Sequence, residues 1–281
     1  MNLLLRTELC KRLRAIIFIC GAIFLLLYNI WDIILTDFGF EVGWSFFLFQ
    51  KTSIILIFVA INSSLNISQD ICGKTVNNKI ILGYNIRDIY NTQIIVGIVE
   101  ALSLFVIDTA SIIIFSLIKN FSPDVRISTL IINLIIVIIS ITVISIFITM
   151  LAVVILNRIL SLFIIVGISL VLFQKGDDLS INLIQPAQTI FYNESEDIAP
   201  IDNPLYVKGG KRDLYNLELL VSPYAQVQYE KFLLFEEKEQ KISSSLILKH
   251  IPYHLEFIFV GISEMLILYN IGWNTLKNKK S

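Results

Sequence analysis

Between Ile127 and Phe173 the chain carries an almost unbroken apolar run in which Arg158 is the only charged residue. A bilayer core about 30 Å thick is crossed by about 20 helical residues, so this run is too long for one helix. It fits two helices joined by a tight turn near Asn157 and Arg158. Because backbone groups inside lipid must be satisfied within their own segment, both are expected to be α-helices. This stretch alone indicates a helical protein with several membrane spans.

Similar apolar runs along the chain predict six transmembrane helices. Their predicted bounds are 15–35, 44–65, 94–118, 127–150, 154–173 and 253–273. The composition agrees, because 56% of the 281 residues are hydrophobic and 16% are charged, against about 45–50% and about 25% in soluble domains. The predicted fold class is an all-α polytopic membrane protein that forms one transmembrane domain over residues 1–281.

Lysine and arginine in the short connections predict the orientation, because they are enriched on the cytoplasmic side. They precede the first span, occur in segment 68–93 and at Arg158, and end the chain. With six spans, these basic pieces all fall on the cytoplasmic side. Both termini are therefore predicted to be cytoplasmic and region 175–250 extracellular. Its first half is expected to form loops and turns, and its second half, from about Tyr224 to Lys249, a helix near the membrane surface.

The polar segment 68–93, between the second and third spans, carries a recognisable pattern. Asp70 is followed by Thr75-Val76-Asn77-Asn78, then by Gly83, and then by Ile89-Tyr90. In this pattern and in its six-span order the chain resembles the membrane subunits of ABC-2 type transporters. The resemblance implies a transmembrane dimer in which this segment forms a short cytoplasmic coupling helix docked on a separate ATPase.

The resemblance also implies partners and coupling residues. The partners are two ABC ATPase subunits, which bind the ATP and Mg, and a second copy of the chain or a related permease. This chain has no GxxxxGK[ST] phosphate loop and is expected to be non-catalytic, with no cofactor of its own. The coupling residues implied are Asp70, Lys74, Thr75, Asn78, Gly83, Arg87 and Tyr90.

Ionisable residues inside the predicted spans are a second set of candidates, because buried charges in a bilayer are costly and indicate function. These residues are Lys51, Glu100, Asp108 and Glu264. Lys51 and Asp108 lie at similar depth, which predicts an ion pair; the alternative is that both face a hydrated cavity. Glu100 and Glu264 have no cation nearby in sequence. They are expected either to line a path for a cationic or amphipathic substrate, or to be neutralised by protonation and hydrogen bonds.

Other function classes are disfavoured. The net charge of −1 does not fit a general nucleic-acid binder, and no catalytic motif is present. His250 and His254 have helical spacing, but Pro252 separates them and no metal site is predicted. The predicted function is the permease subunit of a bacterial cell-membrane exporter for a peptide, bacteriocin, antibiotic or lipid-like substrate. The alternative is a non-transporting membrane sensor or immunity protein whose extracellular region binds a ligand.

Overall fold

A computed structural model of the protein describes residues 2–35, 43–72, 75–121, 125–155, 157–185, 187–192, 198–239 and 245–278. Six of its helices are long and apolar enough to span a membrane. They are Ile16–Leu35, Trp44–Asp70, Ile86–Ile118, Ile127–Val154, Arg158–Ile184 and Leu255–Thr275. In the length and apolar composition of these helices, the prediction of a helical, multi-pass membrane protein is confirmed.

The secondary structure is helical apart from one short antiparallel hairpin among the described residues. In chain order the elements are α1 (Asn2–Leu13), α2 (Ile16–Asn29) with a π-helical continuation (Ile30–Leu35), a 3-10 turn (Trp44–Phe47), α3 (Thr52–Cys72), α4 (Thr75–Ile81), α5 (Ile86–Ile118), α6 (Ile127–Val154), α7 (Arg158–Ile184), β1 (Gln188–Tyr192), β2 (Ile198–Asp202), α8 (Gly210–Val221), α9 (Pro223–Glu239) and α10 (Ser245–Asn278). Strands β1 and β2 pair from Gln188 with Asp202 to Tyr192 with Ile198.

The two ends of the bundle are distinguished by their connections. One end, called the α4 end, carries α1, α4 and the turn between α6 and α7; the other, called the hairpin end, carries β1 and β2. The predicted turn lies at Asn157, whose side-chain oxygen accepts hydrogen bonds from the backbone N–H groups of Ile159 and Leu160, at 3.0 and 3.1 Å. This N-cap fixes the start of α7.

Segment 68–93 is mostly helical. Helix α3 runs on to Cys72, the seven-residue helix α4 follows, and α5 already begins at Ile86. Gly83 ends the short helix with φ at +91°, a left-handed conformation that glycine adopts without steric cost. The segment is therefore a compact reversal between two long helices.

Region 175–250 differs from the prediction, because α7 continues to Ile184 and the stretch expected to form turns contains helix α8. Helix α8 runs along α7 into the bundle. Near the hairpin end Arg212 donates to the carbonyl of Leu183 at 2.9 Å, and one turn and a half further on Glu218 pairs with Lys175.

Helix α9 returns towards the hairpin end, so α8, Ser222 and α9 form what we call the inserted hairpin. At its tip the Tyr224 hydroxyl lies 3.3 Å from Ser169 Oγ. Ser169 lies about 22 Å below the last residue of α7, at 1.5 Å per helical residue. On the way back, Lys231 pairs with Asp177 at 3.0 Å.

The inserted hairpin is closely packed in the bundle. Gln226 accepts a hydrogen bond from Ser140 of α6 at 2.9 Å, and Val227 and Glu230 have no exposed surface. The helix expected from about Tyr224 is therefore present, but residues 224–230 are buried in the bundle instead of lying at a surface. Its interspersed charges indicate a water-facing helix, but Lys231 is matched by Asp177 of α7 and the polar Gln226 by Ser140 of α6.

Candidate functional site: a buried ion cluster holding helix α4

Helix α1 presents one buried stripe to the bundle. Leu4, Glu8 and Arg12 follow each other at intervals of four residues and are all buried, because positions four apart share a helix face. The sequence prediction counted Arg12 only among the basic residues that precede the first span. In the structure its guanidinium is fully inside the protein.

Arg12 is held by three polar groups from α3 and α5. It donates to Glu100 Oε2 at 3.1 Å, to Ser63 Oγ at 2.7 Å and to Gln93 Oε1 at 2.8 Å. The other oxygen of Glu100 accepts from Asn62 Nδ2 at 2.6 Å. Glu100 has no cation near it in sequence, but it pairs with Arg12, which is distant in sequence and adjacent in the fold. Charge-assisted hydrogen bonds to both oxygens offset the cost of burying the carboxylate.

The same set of contacts extends to the short helix. Gln93 Nε2 donates to Glu8 Oε2 at 3.3 Å, and Glu8 Oε1 pairs with Lys79 of α4 at 2.6 Å. Lys79 also pairs with Asp70 at 2.9 Å. Asp70 Oδ1 in turn accepts from Lys11 at 2.7 Å.

We call these six charged residues the ion cluster: Glu8, Lys11, Arg12, Asp70, Lys79 and Glu100. Three cations balance three anions, so the cluster adds no net charge to the interior. Its members come from α1, α3, α4 and α5. It therefore ties the short helix to the ends of the second and third spans and to the N-terminal helix.

The Lys79 ammonium is well adapted to this position. Burial alone lowers its pKa, but hydrogen bonds to Glu8 and Asp70 together with the charges of both carboxylates more than offset burial, and the pKa of Lys79 is raised. The side chain is therefore protonated at neutral pH and holds both carboxylates.

The predicted coupling residues divide into buried and exposed groups. Asp70 lies within the ion cluster, Asn78 is exposed on α4, and Thr75 is its half-buried first residue. Lys74 lies outside the described residues. Gly83 forms the turn after α4. Lys79, which is not among the predicted coupling residues, makes the central contacts of this helix.

The start of α5 is held by α10. Arg87 places its guanidinium 5.9 Å from the Trp273 ring, and the buried Tyr90 ring lies 5.7 Å from that of Tyr269. A Cβ at Gly272 would meet the Tyr90 hydroxyl at 1.9 Å. Only glycine fits at this crossing, so Tyr90 has a packing role between the third and sixth spans.

Besides the exposed Asn78, two large apolar side chains are exposed at the C-terminal end of α4 and in the turn that follows it. Ile81 and Leu82 are 82% and 76% exposed, next to the turn at Gly83. These two side chains are available for a contact with a partner protein or with lipid.

The predicted pair between Lys51 and Asp108 is not formed. Lys51 Nζ lies 2.9 Å from Asp32 Oδ2, while Asp108 Oδ1 accepts a hydrogen bond from Asn29 Nδ2 at 2.8 Å. Asp32, in the π-helical end of the first span, lies next to the start of α3. Lys51 therefore pairs with this carboxylate. Asp108 is satisfied in part by an amide.

Glu264 is the fourth predicted intramembrane charge, and it lines a cavity beside the inserted hairpin. The side chains of His250 and His254 lie outside the described residues. Within the described ranges, no group of three potential metal-ligating side chains is found. Comparison of the chain with protein-family models, with curated proteins and with solved structures gives no match. The resemblance to ABC-2 type permeases therefore stays a prediction.

Proposed function

We propose that the protein is the membrane-spanning subunit of an ATP-driven exporter of the ABC-2 type, and that α4 is its coupling helix. The observation that carries this proposal is the arrangement of α4. Its inner side is held by Lys79 within the ion cluster, while Ile81, at its last position, and Leu82, in the turn after it, are exposed. In this proposal the α4 end is cytoplasmic and the hairpin end is extracellular, in the plasma membrane of a bacterium.

Force transfer requires a rigid contact, since a helix that slides freely on the spans cannot move them. The ion cluster links α4 to α3 through Asp70 and to α5 through the chain of contacts from Glu8 to Gln93. A displacement of α4 would therefore move both spans together, as in a rigid-body or shear transition. The ATP and Mg would be bound by two partner ATPase subunits, and a second permease subunit would complete the membrane path.

A sensor or immunity protein is the second candidate, and the cavity beside the inserted hairpin favours it. That cavity is lined by α8, within the region between the fifth and sixth spans. Ligand binding there would serve a receptor as well as a transporter. The two functions differ in whether an ATPase belongs to the complex.

Purification of the tagged chain from its native membranes tests the proposal. We expect an ABC ATPase to co-purify with the wild type and to be lost from the Ile81→Ser/Leu82→Ser variant. Ile127→Ser is the matched control, because Ile127 is 71% exposed but lies at the hairpin end. Equal recovery of the ATPase with both variants would show that the end of α4 is not the docking element. Absence of any ATPase from the wild-type complex would favour the sensor.

A further inference from the structure

A cavity of about 800 Å³ lies between α6, α7, α10 and the inserted hairpin. Its wall is mostly apolar and includes Phe147, Leu172, Leu217, Ile267 and Leu268. Cavities of about 300–1,000 Å³ lined in this way suit drug-sized ligands. The apolar face of α8 is exposed, with Leu217 at 57%, so the cavity opens to the side of the bundle.

Three ionisable side chains reach this cavity: Lys175, Glu218 and Glu264. Lys175 and Glu218 pair with each other. Glu264, on α10, has no salt bridge in the described structure, and its Oε2 atom is buried without a hydrogen-bond partner there. A carboxylate in this position is costly unless a positive group meets it.

We propose that this cavity binds an amphipathic cation with a single positive charge. The apolar part of this cation would pack against the aromatic and aliphatic side chains of the cavity and displace lipid or water. Its positively charged group would lie at Glu264. Charge complementarity favours a cation over an anion of the same shape, because a cation at Glu264 stabilises the ionised carboxylate and an anion opposes it. The role of the cavity as a stage of transport rests on the proposed function, whereas binding itself does not.

Binding to the purified full-length chain in nanodiscs tests the proposal. The probe is tetraphenylphosphonium, and the matched anion is tetraphenylborate, which has the same shape and size. The wild type should bind the cation and discriminate against the anion by at least about tenfold, which is one unit of log Kd.

Variants locate the site. Glu264→Gln should weaken cation binding about tenfold and abolish the discrimination, whereas Glu264→Asp should retain part of it. Glu256→Gln is the control, because Glu256 is an exposed acid of the same helix and does not line the cavity. Leu217→Trp, which narrows the cavity, should weaken both probes. Thermal unfolding of each variant verifies that it is folded.

Two results would overturn the proposal: equal affinity of the wild type for both probes, and unchanged cation binding in folded Glu264→Gln. The outcome is distinguishable from that of the proposed function. Cation binding by a chain with no ATPase partner would leave this inference standing and remove the exporter. An ATPase complex that does not bind tetraphenylphosphonium would overturn this inference and leave the proposed exporter function standing.

Discussion

Arg12 Nη1 lies 3.1 Å from Glu100 Oε2, and neither side chain has any exposed surface. The pair joins the N-terminal helix to the third span across 88 residues of sequence. Because both charges are desolvated, each depends on the other, and removal of one leaves the other uncompensated. The pair also places α1 where Glu8 and Lys11 can reach α4 and the end of α3.

Breaking this pair should strongly destabilise the protein. Arg12→Met and Glu100→Gln each leave a buried group without its partner, at a cost of about 3–5 kcal/mol. We expect a lower thermal midpoint for each single variant in detergent and partial recovery in the double variant. Arg6→Met is the control, since Arg6 is exposed on the same helix. Strictly additive losses in the double variant would show that the two residues act separately.

A side chain at Gly176 should crowd the inserted hairpin, because a Cβ there would lie 3.0 Å from Ala225 Cα and 3.1 Å from the Tyr224 carbonyl oxygen. Gly176→Ala should push the inserted hairpin off α7 and lower the thermal midpoint. Gly167, on the same helix, has open space around its Cβ position. Gly167→Ala should be neutral or stabilising by up to about 1 kcal/mol from helix propensity. Similar effects of both substitutions would contradict the close packing of the inserted hairpin.

Glu230 should make stability depend on pH. Burial raises the pKa of Glu230 to about 8 from its ordinary value of 4.5, so between these two values the folded state binds more protons than the unfolded state. The stability contributed by this group is therefore present at low pH and is lost as pH rises towards about 8.

Glu230→Gln removes this dependence. The difference in thermal midpoint between the variant and the wild type should grow in favour of the variant from pH 5 to pH 8, and level off above that. Glu256→Gln, at an exposed acid, is the matched control. A constant difference across this range would mean that Glu230 titrates in the same way when folded and unfolded.

Lys51 should be coupled to Asp32 more strongly than to Asp108. In double-mutant cycles of thermal stability, we expect the larger interaction energy for Lys51→Met with Asp32→Asn, since these side chains are in contact at 2.9 Å. The cycle with Asp108→Asn measures only a longer-range charge effect. A larger coupling to Asp108 would restore the pair predicted from sequence.

The six spans could be predicted from the sequence because hydropathy depends on composition within one segment. The run from Ile127 to Phe173 shows this, since its length and Asn157 indicated two helices and a turn. Contacts between distant segments leave no such local signal. Nothing near Glu100 in sequence points to Arg12, and the buried positions Leu4, Glu8 and Arg12 look like an ordinary amphipathic pattern before a first span.

The inserted hairpin was missed for a related reason. Helix α9 is too polar to be recognised as buried by composition. Its Lys231 pairs with Asp177 of α7, and a contact between segments so far apart in sequence leaves no local signal. Leu214, Leu217 and Val221 have helical spacing and could have indicated an amphipathic helix at α8. The depth of the hairpin could not be predicted, because it depends on Gly176 and on the partners offered by Ser140 and Ser169.

The central claim is that ATP hydrolysis in a partner drives this bundle through α4. The most direct test is vanadate-sensitive ATP hydrolysis by the complex purified from native membranes, compared between the wild type and Lys79→Met. We predict hydrolysis that the transported substrate stimulates in the wild type, and loss of that stimulation in Lys79→Met with the ATPase still bound. A wild-type complex without any ATP-hydrolysing subunit would contradict the account, as would unchanged stimulation in the variant.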